Sequence, residues 1–171
     1  MGLSNSNILE KVNLQYCKQL LGVKRQTPNN FIYGELGRVS IRTYTVQHAV
    51  KYWLKVIKLR PEKYVKCIYL QLCKNINENP NVTNWALSIC NLLQHLGLYY
   101  AWLYQSVGDE TCFIKLLKTR LTDTFIQNWM SHLSESSKAK TYIYYSSFSL
   151  QCYLICINND SHRKKLCRLR E

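Results

Sequence analysis

Four side chains toward the end of the chain have the types and order of a metal site. Cys152, Cys156, His162 and Cys167 form a C-x3-C-x5-H-x4-C series. Zinc needs thiolate and imidazole donors that converge tetrahedrally on one point. The series is near a zinc knuckle but not equal to one. Its first gap holds Tyr153, Leu154 and Ile155, where a knuckle carries small, flexible residues. Packed thiols and a surface histidine are the expectation, with no bound metal and no other cofactor.

Acid chemistry has even less to work with. Polymerases and two-metal nucleases gather carboxylates around divalent ions. The chain has 10 Asp and Glu, scattered along its length, and Asp109-Glu110 is their one adjacent pair. That pair opens a predicted helix, where capping and the helix dipole account for it. Gly34-Glu35-Leu36-Gly37 lacks the lysine and the preceding strand of a phosphate loop. None of the four histidines has a spacing to cysteine that marks a nucleophile pair. No enzyme activity and no small-molecule substrate are expected.

The cations are more informative. There are 23 Lys and Arg against 10 Asp and Glu, a formal charge of +13. Arg163, Lys164, Lys165, Arg168 and Arg170 crowd the C-terminal end. Lys51, Lys55 and Lys58 share a predicted helix face, and Lys24, Arg25 and Arg38 lie in loops. Cations so placed can neutralise phosphates and release counterions. RNA or DNA is the expected partner of these eleven side chains. For any single lysine a solvated face is the plainer account; the uncompensated sum favours a polyanion. The 13 tyrosines could stack on bases, but most fall at core spacing.

Composition sets the frame for these groups. With 171 residues and 47% hydrophobic content, the chain can build one domain or two small ones, burying roughly 70% of its unfolded surface. Met1 to Asn7 is polar, with no apolar run of the kind that opens a signal peptide. Eight cysteines inside mostly apolar patterns then read as free thiols of a reducing compartment. The expected location is intracellular, nuclear or cytoplasmic, not secreted. The Asn81-Val82-Thr83 sequon carries little weight there. Residues 79–108 are uncharged, yet Ser88, Asn91 and His95 share one helical face. An amphipathic core helix fits better than a membrane span.

The elements that must position these groups are helical. A first helix starts near Asn7, with Glu10 completing a capping box and Leu9, Val12, Tyr16 and Leu20 on one face, and stops at Gly22. Thr27-Pro28 opens a short helix. A long one spans Ile41 to Leu59, with Val46, Val50, Trp53 and Ile57 inward. Pro61 opens another, Glu62 to Asn75, with Val65, Ile68, Tyr69 and Leu72 inward. After a loop at 77–81, a helix runs from Asn84 to Leu96. Residues 98–107 fit helix or extended chain. The longest helix follows Gly108-Asp109 to Leu133, with Phe113, Leu117, Leu121, Phe125, Trp129 and Leu133 recurring every fourth residue. Ser134 to Ser137 is a turn, and helices over 138–147 and 161–170 complete the chain. The fold class is all-α, an irregular bundle of seven to eight helices. The 77–81 loop is the natural break between halves 1–76 and 82–171, which can also form one continuous domain.

Several stretches together resemble a known family. They are Leu9-Glu10-Lys11-Val12-Asn13-Leu14-Gln15-Tyr16-Cys17-Lys18, then Leu20-Leu21-Gly22-Val23-Lys24, Thr27-Pro28-Asn29 and Tyr33-Gly34-Glu35-Leu36-Gly37-Arg38. Tyr52-Trp53, Leu121 to Trp129, Ser136 to Tyr142, His162 to Leu166 and Arg168 to Arg170 follow in order. They resemble the region downstream of the polymerase domain in non-LTR (LINE-type) retrotransposon endonuclease/reverse transcriptase polyproteins. The likeness runs from about Ile8 to Arg170. It implies a helical tail that grips nucleic acid beside a polymerase domain absent from this chain. The family's paired palm aspartates and its endonuclease are missing here, and the family chain continues to a Cys/His-rich end. The resemblance therefore implies a fragment without polymerase activity. The alternatives are a protein-interaction or structural remnant with no activity of its own and, less favoured, a small membrane protein.

Overall fold

The computed structural model describes residues 6–79, 83–136 and 142–171. Among these residues there are nine α-helices and no strand beyond one isolated bridge, Leu36 with Leu150. The class is all-α, as the periodicity indicates. The compact units do not follow the two sequence halves. Among the described residues one is the continuous stretch Tyr44–Leu121; the other joins residues 6–43 to those of Thr122–Glu171.

The continuous unit takes α3 (Ile41–Ile57) from Tyr44 on, α4 (Tyr64–Glu78), α5 (Trp85–His95), α6 (Tyr99–Tyr104) and α7 (Glu110–Glu135) up to Leu121. Its core holds Val50, Trp53, Leu54, Val56, Tyr69, Ile89, Leu93, Phe113 and Leu117. The stripe predicted for α3 is the buried one at Val46, Val50 and Trp53, with Leu54 and Val56 beside it. Asn84 caps α5, its side chain accepting from Leu87 N at 2.9 Å, as its residue type favours. The stretch over 98–107 resolves as α6. Trp53 Nε1 donates to the Tyr69 hydroxyl at 3.0 Å, which donates in turn to Gln105 at 2.6 Å. An aromatic core thereby satisfies its polar atoms.

Helix α4 departs from expectation. Pro61 does not open it; it starts at Tyr64 with Lys63 as N-cap. Tyr69 is its one buried residue, while Val65 and Ile68 are exposed. The neighbours α3 and α5 offer α4 only a narrow apolar seam, so an amphipathic stripe wider than that seam stays in water.

The discontinuous unit contains α1 (Ser6–Leu21), α2 (Asn29–Leu36), the later part of α7, α8 (Cys152–Cys156) and α9 (Asp160–Arg170). Leu14, Cys17, Leu21, Phe31, Ile32, Trp129, Leu133, Tyr142 and Cys167 form its core. Here α1 is turned around relative to the predicted stripe. Leu14, Cys17 and Leu21 are buried, and Leu9, Val12, Tyr16 and Leu20 are each more than half exposed. Nor does Glu10 close a capping box. Its carboxylate accepts from the Tyr33 hydroxyl at 2.8 Å and from Ile41 N at 2.6 Å, so it caps the start of α3 instead. Nor do Thr27 and Pro28 open α2 as its cap and first residue: Pro28 is the N-cap, and the Thr27 hydroxyl donates to Glu171 at 2.7 Å.

No helix spans the described part of 138–147. Tyr142–Tyr144 form a single 3-10 turn, and irregular chain follows to Gln151. The start of that predicted helix, 138–141, lies outside the described residues, as do Ser137 of the predicted turn and Asn81 and Val82 of the sequon. Helix α8 has no counterpart in the sequence reading. Its five residues are too few to display a period.

Candidate nucleic-acid interface

The C-terminal cations are mostly engaged within the protein. Arg170 pairs with Glu35 at 3.0 Å and donates to Gln151 Oε1 at 3.1 Å. Its guanidinium lies over the rings of Tyr145 and Tyr153, 4.9 and 5.6 Å from their centroids. Arg168 donates to the Gly22 carbonyl at 2.6 Å. Lys164 pairs with Asp160 at 2.6 Å, and Arg163 reaches the same carboxylate at 3.6 Å. Lys164 holds Asp160 below the usual carboxylate range, chiefly through that hydrogen bond. Lys165 alone of the five is exposed with no hydrogen bond or ion pair. Arg168 and Arg170 thus fasten α9 within its own unit, whereas the two pairs with Asp160 lie inside α9 itself.

Glu35 is the hidden centre of that fastening. It is fully buried, and it accepts from the Tyr153 hydroxyl as well as from Arg170. A buried carboxylate needs this degree of pairing. Burial, together with hydrogen bonds to Cys167 and Glu35, pushes the Tyr153 phenol up. The neighbouring glycines make room for the arrangement. A Cβ on Gly34 would lie 2.5 Å from Tyr142 Oη, and one on Gly37, at φ +57°, would lie 2.5 Å from Leu150 N. The Gly34-Glu35-Leu36-Gly37 run is therefore structural. A glutamate between two glycines was its sequence signal, and nothing local revealed the distant arginine.

The four zinc candidates do not converge. Cys167 is fully buried, with its thiol pushed up to about 11 by burial, while Cys152 and Cys156 are exposed on α8 and His162 is exposed on α9. Among the described residues no three His, Cys, Asp or Glu side chains come together in a way that could hold a metal ion.

The remaining predicted cations fare differently. Lys24, Arg25 and Arg38 are exposed and carry no side-chain partner. In the continuous unit Lys58 pairs with Glu110 at the surface, a contact worth about 0–1 kcal/mol. Lys51 and Lys55 are unpaired. Beside them lies a feature that the sequence reading missed. A groove of about 250 Å³ is lined by Tyr52, Val56, Tyr64, Val65, Ile68, Tyr69, Leu72 and Trp85. Tyr52 and Trp85 meet edge to face at 5.7 Å. Arg60 and Lys63, also exposed and unpaired, sit on the turn that joins the two walls. The groove was illegible because Val65 and Ile68 have the spacing of core residues.

Comparison of the chain with protein-family models, with curated proteins and with solved structures finds no match. No described helix is long and apolar enough to cross a membrane.

Proposed function

We propose that this chain is a non-catalytic nucleic-acid-binding segment, of the kind its resemblance to the region after a retrotransposon polymerase implies. The supporting observation is where the acids go. Glu10, Glu35 and Glu171 accept hydrogen bonds inside the discontinuous unit, and Glu110 and Asp160 pair with lysines. Residues 44–121 carry ten Lys and Arg against four Asp and Glu, and the remainder carries thirteen against six. Both units are therefore left with cations that no carboxylate offsets, and such a surface attracts phosphates. The same dispersal of carboxylates supports a role without polymerase or nuclease chemistry.

Anisotropy titration against RNA and DNA tests this reading. For four phosphates neutralised on a single strand, affinity should fall roughly 50-fold between 50 and 200 mM salt. Binding that ignores salt, or no binding at low salt, defeats it. The exposed apolar stripe of α1 favours a second reading, a protein-interaction module. On that reading, polar substitution of Val12 and Tyr16 would abolish self-association or capture of a partner while leaving nucleic-acid affinity alone.

A further inference from the structure

We infer that the groove between α3 and α4 is a stacking site for an unpaired base of single-stranded nucleic acid, an inference that rests on the polyanion reading above. Its walls are the first reason. Tyr64 is 79% exposed and makes no hydrogen bond or ring contact; Tyr52 is 52% exposed, and Trp85 lies against it. Three aromatic side chains thus line one open groove, two of them largely uncovered, and an exposed ring can stack on a planar base. The volume, about 250 Å³, lies below the roughly 300–1,000 Å³ of ordinary small-molecule sites.

Charge is the second reason, and it selects the occupant. Between Lys51 and Asn77 there are seven cations and one carboxylate, Glu62. Lys58 and Lys74 pair with Glu110 and Glu78, and Lys66 donates to the Ile57 carbonyl. Lys51, Lys55, Arg60 and Lys63 are left without partners. Lys55 is three residues from Tyr52 on the same helix, and Lys63 immediately precedes Tyr64. An apolar peptide or a second copy of this basic chain would leave those four charges unanswered. A strand of phosphates answers them while its bases enter the slot. A duplex offers the phosphates but keeps its base faces stacked, so the site prefers single strands.

The test uses the full chain with a labelled single-stranded RNA and a duplex DNA of equal phosphate number. Tyr64→Leu keeps an apolar side chain and removes the ring; Tyr64→Phe keeps the ring. The expected result is a loss of about 5- to 150-fold in single-strand affinity for Tyr64→Leu. Tyr64→Phe should bind as the parent does, and duplex binding should change little for either. Parent-like binding of single strands by Tyr64→Leu, with salt sensitivity intact, overturns the stacking site and leaves the polyanion reading standing. Equal losses on both polymers overturn it too. A dimer that Tyr64→Leu dissociates in sedimentation reassigns the groove to a second copy. No binding to either polymer at low salt takes down both readings. Because Tyr64 is so exposed, unchanged far-UV dichroism is expected of both variants.

Discussion

Arg170 and Glu35 show how far a residue's role can depart from its residue type. An arginine near the chain end, in a run of basic residues, has the look of a phosphate ligand. In the fold its guanidinium is shared between a fully buried carboxylate, a glutamine and two tyrosine rings. Removing one partner of a buried pair leaves the other charged, desolvated and alone, which costs about 3–5 kcal/mol. Arg170→Ala should therefore lower the stability of the discontinuous unit by about that amount in urea unfolding. Adding Glu35→Gln to it should recover part of the loss, since a neutral amide can still bond the Tyr153 hydroxyl. A cost under about 0.5 kcal/mol for Arg170→Ala would show the pair to be a surface contact. Single-strand affinity should be untouched by either change, because neither residue belongs to the α3–α4 groove.

At the scale of the element, α1 is the instructive case. Its sequence carries two apolar stripes, and a helical period cannot rank them. Leu14, Cys17 and Leu21 face Phe31, Ile32 and Cys167, while Leu9, Val12, Tyr16 and Leu20 face solvent. The choice follows from what α2 and α9 bring to the same core. The two faces should respond very differently to substitution. Leu14→Ala should cost about 2–5 kcal/mol, and Val12→Ser should stay within about 0.5 kcal/mol. Chemical denaturation of the two variants side by side measures both. A large cost at Val12 with none at Leu14 would mean that α1 is packed by its other face.

For the whole molecule the point is connectivity. The unit completed by α9 needs residues 6–43 and those of Thr122–Glu171 together, whereas Tyr44–Leu121 is one uninterrupted stretch. A loop with Pro80 invites division at 77–81, yet α4 and α5 on its two sides share one core. A fragment of residues 1–76 should thus show little helix by circular dichroism. Residues 44–121 should retain a cooperative thermal transition, having kept Trp53, Tyr69, Ile89, Leu93, Phe113 and Leu117. The reverse pattern would restore the division at the loop.

Taken alone, the sequence determined the helical class, most helix positions and the surplus of positive charge. Each is a local or additive property. A period of 3.6, an Asn84 cap and a Gly22 stop act within a few residues, and charge simply sums. The start of α4, the missing helix after Tyr142, and α8 eluded it, because a wide apolar stripe and very short elements take their limits from neighbours. Partnership across the chain was decided only by the tertiary structure. Folding brought Arg170 to Glu35, gave Glu10 to the start of α3, buried the other apolar stripe of α1, and left Tyr52, Tyr64 and Trp85 around an open groove. Burial and pairing depend on what the rest of the chain places opposite a residue, and no spacing along one helix encodes that.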